Sequence, residues 1–187
     1  QLLDSLNYTG GTLLAPACGA GAFLIAAAER HTLPEAILED IWGVELSLES
    51  ASLARLALGV VALRRMGRVP DCLPRIQHAD ALEPGVCPRP RYFVGNPPYL
   101  EAKKRPPGMR ETLLARFPQL TGAFDLYMAF LELALELSPE KIALVLPNKF
   151  LVARYAVNLR QRLLEGWGPK ALHPLDGVFG SVGVYPI

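Results

Sequence analysis

Short apolar runs and helical periodicities alternate along this chain. Thr12-Leu13-Leu14-Ala15 and Ile41-Trp42-Gly43-Val44-Glu45 are too short and too apolar for amphipathic helices and read as buried strands. Arg75-Ile76-Gln77-His78-Ala79 is a half-polar third strand nearer the sheet edge, Arg91-Tyr92-Phe93-Val94 a buried fourth, and Lys141 to Pro147 a fifth. Between them, Ala22 to about Arg30 reads as a helix. The spacing of Leu48, Leu53, Leu56, Ala57, Val60, Val61 and Leu63 predicts a long helix packed on the sheet, starting at 46–48 with Ser47 as N-cap. Phe124 to Glu132 starts a strongly amphipathic helix, which Ser138-Pro139 separates from the fifth strand. Asn148-Lys149-Phe150 leads into another helix, and Leu159, Leu163 and Leu164 carry a further one ended by Gly166 and Gly168. Lys170 to Pro174 reads as a short sixth strand. Strand and helix in alternation predict a doubly wound α/β fold with a mostly parallel sheet.

Two strand ends carry chemistry. The first strand runs into Pro16-Ala17-Cys18-Gly19-Ala20-Gly21 and then a helix, the opening of a nucleotide-binding fold, where glycines let a ligand approach the backbone. A dinucleotide fingerprint would want a third glycine at position 24, which is Leu24. The fourth strand stops at Gly95-Asn96-Pro97-Pro98-Tyr99. The two prolines forbid both helix and ladder pairing, and Asn96, preceding a proline, is pushed towards an extended conformation. An amide, a rigid diproline and an aromatic ring thus stand at a strand's carboxyl end, where ligands of open α/β sheets bind. The set suits an exocyclic amine on a flat ring: the Asn96 side-chain oxygen and a diproline carbonyl each accept one N–H, while Tyr99 stacks on the face. The plain alternative is a turn that happens to contain Asn-Pro-Pro. Glu45, about 25 positions after the glycine turn, stands where a carboxylate meets a ribose; Asp80 ends the third strand before the turn at Pro84-Gly85.

Composition narrows the classes. The 187 residues, half of them apolar, fit one domain with a proper core, and the net charge of +1 does not by itself point to nucleic acid. No membrane-length apolar run and no signal peptide is visible. Cys18, Cys72 and Cys87 are odd in number and widely spaced, which argues for reduced thiols in a cytoplasmic protein and against a disulfide framework or zinc site. His31, His78 and His173 make no metal-ligand pattern, so no metal is expected. Between Glu101 and Arg116 the basic residues Lys103, Lys104, Arg105, Arg110 and Arg116 outnumber the acidic ones, and Pro106-Pro107-Gly108 breaks the segment into a mobile loop and a short helix. Such a loop meets phosphates or is merely solvated.

Asn96-Pro97-Pro98-Tyr99 resembles the motif of S-adenosylmethionine-dependent amino-methyltransferases. Pro16-Ala17-Cys18-Gly19-x-Gly21 with Phe23-Leu24 behind it, and Leu126-Tyr127-x-x-Phe130 further on, resemble the adenine-N6 DNA methyltransferases in particular, in the expected order over nearly the whole chain. The resemblance implies a Rossmann-like fold of the class I methyltransferase type, S-adenosyl-L-methionine as cofactor and adenine in DNA as acceptor. It implies Ala15, Pro16, Ala17, Cys18, Gly19, Gly21, Glu45, Asp80, Ala81 and Phe124 at the cofactor, and Asn96, Pro97, Pro98 and Tyr99 as catalytic residues. Tyr99 and Phe179 become the two sides of a flipped base, which must leave its stack to be reached. The sequence departs from the family at Ala15, where the motif opens with an acidic residue that holds the amino group of the methionine moiety.

The family's upstream Thr-Pro segment and its target-recognition domain find no match. The expectation is therefore a catalytic core spanning 1–187, incomplete at both ends, from a type I or type IIG restriction–modification enzyme, with DNA and a recognition domain or subunit as partners and no membrane. Two rivals stand beside it. One is a protein-glutamine or RNA-base methyltransferase using the same motif; the other is a non-catalytic methyltransferase-like fold serving as a DNA-binding or assembly subunit.

Overall fold

Each short apolar run pairs as a strand, and each stretch with helical spacing between them coils. The computed structural model describes residues 2–166 and Gly168. In chain order the elements are α1 (Leu2–Ser5), β1 (Leu13–Ala15), α2 (Ala22–Arg30), α3 (Ile37–Asp40), β2 (Ile41–Glu45), α4 (Leu48–Met66), β3 (Arg75–His78), β4 (Tyr92–Gly95), α5 (Met109–Arg116), α6 (Tyr127–Leu137), β5 (Lys141–Leu144), α7 (Lys149–Val152) and α8 (Val157–Gly166). They fall into two compact units, one of residues 1–96 and 137–144, the other of 97–136 and 145–187. The expected sixth strand and Phe179 lie outside the described residues.

The first unit holds a five-stranded sheet in the order β3-β2-β1-β4-β5, every pairing parallel. The doubly wound expectation is met, with the half-polar β3 at an edge. The order reverses between β1 and β4, so the loops leaving their carboxyl ends diverge there, which opens the crevice where ligands of such sheets bind. Leu13, Leu14, Ala15, Ile41, Phe93 and Val94 are wholly buried, as strands covered on both faces must be.

α4 begins as predicted. Ser47 caps it, its hydroxyl accepting the Ser50 N–H at 3.2 Å, and Gly67 in the left-handed region ends it. Its buried face is not the predicted one. Leu53, Leu56, Val60 and Leu63 are exposed, whereas Ala51, Ala54, Leu58 and Ala62 are buried. The reason is distance: α4 packs on α2 through small side chains. A Cβ on Gly21, at the start of α2, would come within 3.2 Å of the Ala54 Cα, so neither helix has room for bulk at the crossing. The amino ends of the strands carry a cluster that the sequence reading left unassigned. Buried His31 meets Asp40 through Nε2 at 2.9 Å, and its Nδ1 accepts the Leu33 N–H; Nε2 is therefore the protonated nitrogen facing the carboxylate. Asp40 also accepts the Gly11 N–H.

The second unit is helical. α6 starts at Tyr127 rather than Phe124, and it is not amphipathic: every residue from Phe124 to Ala134 is buried, Asp125 and Glu132 included. Glu132 can be buried because both its oxygens receive Arg162 Nη1 from α8, at 2.7 and 2.8 Å. Arg116 of α5 likewise bonds Glu136 at 2.6 Å. The expected loop and short helix after Tyr99 appear as a single 3₁₀ turn over Ala102–Lys104 followed by α5, whose start is set by Gly108 at φ +82°.

Candidate active site

All the candidate cofactor residues except Phe124, which belongs to the second unit, lie in the first unit at the carboxyl ends of β1, β2 and β3. The loop after β1 is tied to β2 by the Cys18 N–H, which donates to the Val44 carbonyl at 3.1 Å. The Glu45 carboxylate closes the arrangement. Oε2 accepts the Gly19 N–H at 2.8 Å and Oε1 accepts the Ser47 N–H at 2.9 Å. Two backbone donors hold this carboxylate in place, and each oxygen keeps a further lone pair for a hydroxyl. Gly19 sits at φ +55°, with nothing within 4 Å of where a Cβ would stand, so a ligand can come against this backbone without displacing protein. Gly43 serves the same loop from below, since a Cβ there would meet Cys18 Sγ, Leu24 Cδ1 and Ile76 Cδ1, each at 2.9 Å. Cys18 is buried and its thiol is pushed up to about 12 by burial, with the Glu45 carboxylate adding to the shift; it is an inert packing group. Asp80 accepts the Leu82 N–H on Oδ1 at 2.9 Å, as an aspartate opening a turn does, and Ala81 is buried beside it. Glu45 is linked to the same strand end, its carbonyl accepting the Ala79 N–H. This donor and acceptor set fits an adenosine-bearing cofactor: a held carboxylate for vicinal hydroxyls, an open glycine backbone and an aspartate one strand further. Ala15 is wholly buried at the end of β1.

Asn96 follows β4 directly. Pro16, after β1, has its ring atom Cδ 3.9 Å from where a Gly95 Cβ would stand, so the loop leaving β1 adjoins the end of β4 at the reversal in strand order. Asn96 is half-buried there, and no cis peptide bond occurs in the described residues.

In the second unit, Pro97 is buried and Pro98 exposed. The half-buried Tyr99 donates through its hydroxyl to the Val145 carbonyl at 3.0 Å and stands edge-on to Tyr127, centroids 6.2 Å apart at 84°. Burial pushes the Tyr99 phenol up to about 12, so it stays a neutral donor at physiological pH. Phe124 is wholly buried. The Arg105 guanidinium lies over its ring, 4.2 Å from the centroid, and Nη2 donates to its carbonyl. Leu46 emerges beyond the sequence reading, and Arg105 takes a place other than the solvated or phosphate-facing loop expected of it. Leu46, next to Glu45, is a large apolar side chain 68% exposed at the carboxyl end of β2. Arg105 belongs to the basic loop, yet it packs on Phe124 with Nε and Nη1 buried and without hydrogen-bond partners. No run of local sequence marks either. Among the described residues no group of His, Cys, Asp and Glu side chains could hold a metal ion, and no helix is long and apolar enough to cross a membrane.

A family profile matches residues 92–176, the stretch that carries Asn96 to Tyr99. It is that of the Eco57I restriction-modification methylases. The restriction–modification methylase resemblance is thus borne out on an independent comparison. Solved structures agree with the methylase fold. The methyltransferase subunit of a type I restriction-modification system from Streptococcus thermophilus superposes with a TM-score of 0.61 at 22% identity, over 88% of this chain and 36% of that one. The type IIL restriction-modification enzyme MmeI, solved in complex with DNA, gives 0.64 at 23%, over 88% and 28%. A Listeria monocytogenes protein assigned to the class I S-adenosylmethionine-dependent methyltransferases gives 0.58 at 14%, over 88% and 48%. The fold is the class I methyltransferase fold. The chain spans less than half the length of each of these methylase-like proteins. No curated protein sequence matches it.

Proposed function

We propose that this chain is the catalytic core of a DNA methyltransferase of a restriction–modification system, using S-adenosyl-L-methionine, with the N6 amine of adenine as acceptor. The observation that carries the reading is the position of Asn96 at the carboxyl end of β4, beside the glycine loop of β1, at the reversal in strand order. DNA and a target-recognition domain or subunit are the partners that follow, and the cytoplasm is where such a core acts.

Glu45 would hold the ribose, Asp80 and Ala81 the adenine ring, and Gly19 and Gly21 would give the approach to the backbone; Leu46 would offer apolar contact. Held there, the cofactor would supply an electrophilic methyl group on a sulfonium. Asn96, through its side-chain oxygen, and Pro97, through its carbonyl, accept the two N–H bonds of the adenine amine. That would draw the nitrogen lone pair out of conjugation and free it for attack on the methyl group. Tyr99 stacks on the flipped base, with Phe179 as the expected opposite wall. The nitrogen becomes acidic only once it carries the methyl, so its proton leaves to solvent afterwards and no strong base is required. Orientation carries most of the acceleration.

The test uses radiolabelled S-adenosylmethionine, unmethylated genomic DNA and nucleoside analysis of the product. N6-methyladenine is the expected product. Asn96→Ala lowers its rate of formation about 100-fold or more, as removing one oriented hydrogen-bonding group does, and leaves cofactor affinity within a few-fold. Label in RNA or protein instead transfers the reading to those acceptors. Label nowhere makes Ala15 the leading explanation and a non-catalytic methyltransferase-like subunit the better description.

A further inference from the structure

Behind Tyr99, within the second unit, lies a polar and aromatic assembly with no part in the chemistry above. Asp125 is 6% exposed, and its Oδ2 receives both Lys149 Nζ at 3.1 Å and the Tyr155 hydroxyl at 3.2 Å. One residue after Lys149, the Phe150 ring meets the Tyr127 ring edge-on, centroids 6.1 Å apart at 86°. Tyr127 in turn meets Tyr99 edge-on, and the Leu126 N–H donates to the Leu100 carbonyl at 3.0 Å. The stretches Phe124–Tyr127 and Asn148–Phe150 are therefore cross-linked twice, once by charge and once by rings, and the ring pair ends on Tyr99.

We propose that Asp125 and Lys149, with Tyr155, form a clamp that positions the Tyr99 ring through Phe150 and Tyr127. Tyr99 is pinned at its tip by the Val145 carbonyl and at its side by Tyr127. Tyr127 is wholly buried, so its plane is set by its neighbours rather than by solvent. Asp125 is buried with Lys149 against it, and removing one partner of such a pair leaves the other uncompensated and strains what holds it. Releasing Lys149 therefore loosens the joint that holds Phe150 on Tyr127. Lys149 and Asp125 are positioning residues. The consequence for base stacking rests on the function proposed above; the effect on the Tyr99 ring does not.

The test is fluorine NMR of the chain with its six tyrosines replaced by 3-fluorotyrosine, the Tyr99 line assigned with Tyr99→Phe, and no cofactor or DNA present. Lys149→Met keeps the aliphatic stem, at a side chain half exposed to solvent. It is expected to shift or broaden the Tyr99 line well below the melting temperature, while Lys149→Arg restores it. Methyl transfer to genomic DNA by Lys149→Met falls about tenfold in kcat with cofactor affinity unchanged. Asp125→Asn, which keeps an acceptor for Tyr155, shifts the same line. An unmoved Tyr99 line in both variants overturns the clamp, and a moved line with kcat intact overturns its consequence for base stacking. A moved line in a chain whose wild type transfers nothing to DNA upholds the clamp and overturns the DNA reading instead.

Discussion

Ala15→Asp separates the cost of an empty charge site from its benefit. Ala15 ends β1, is wholly buried and stands level with Gly43 on β2, which has no side chain to receive a carboxylate. Without cofactor, the new carboxyl is desolvated. Full burial raises such a group by about 3 pK units, and at about 1.4 kcal/mol per unit the fold loses about 4 kcal/mol at pH 7. For a domain of this size about 1 kcal/mol moves Tm by roughly 2–4 °C, so the free protein should melt some 8–16 °C lower. An ammonium about 4 Å away in a medium of effective dielectric constant 20 returns about 4 kcal/mol. The variant is therefore less stable alone but gains more from ligand, with affinity for S-adenosylhomocysteine rising about tenfold or more. Thermal melts and calorimetry measure both halves. 5′-Methylthioadenosine, which lacks the amino-acid end, is the control and should show no gain. Unchanged affinity for S-adenosylhomocysteine, or an equal gain with 5′-methylthioadenosine, would refute the placement of Ala15 at the cofactor's amino group.

Gly43→Ala forces a Cβ against three side chains at once and should cost about 1–3 kcal/mol in a urea titration; Cys18→Ala added to it should recover part of that loss, because one of the three atoms is then gone. Cys72 is exposed and Cys18 buried, so a thiol reagent at pH 8 should label Cys72 first and Cys18 only as the protein unfolds. The Cys18 thiol titrates at about 12 in the folded protein against an ordinary 9.0, the folded state holding its proton longer than the unfolded one. Its contribution is thus complete below pH 9 and is lost as pH rises through 12, and a Cys18→Ala variant should show a flatter loss of stability over that window.

Much of the first unit was legible because its signals are local. Ser47 and Gly67 bracket α4, Gly21 opens α2, and β2 has the limits that its apolar run predicts. The face of α4 was misread for a reason that hydropathy does not carry. Leucine spacing marks apolarity, but the crossing with α2 selects for smallness, and Ala51 and Ala54 win it. α6 was misread because Glu132 looks like a polar face until Arg162, thirty residues later, neutralises it. Pairings at that separation leave no periodic trace. The same holds for His31 with Asp40 and for Asp125 with Lys149. In the candidate site, residues whose role depends on backbone shape (Gly19, Gly21, the diproline) declared themselves in sequence. The exposure of Leu46 and the packing of Arg105 on Phe124, which depend on what each faces, did not.

The state of Glu45 explains how the proposed cofactor site would be ordered before a ligand arrives. A solvated glutamate at a strand end would have to be ordered and desolvated on binding, and that entropy would count against affinity. Here the carboxylate already takes one N–H from the glycine loop and one from the start of α4. The three segments that would surround a ribose are thereby locked to one another through the residue that would touch it. The lock also makes the loop sensitive to the carboxylate. Shortening Glu45 to Asp would detach Gly19 as well as withdraw a ligand oxygen, whereas glutamine would keep one acceptor and lose the other. Affinity at the proposed site should thus be a property of the joint between β1 and β2, with the chemistry proposed for Asn96 appended by the neighbouring strand β4 across the reversal in order.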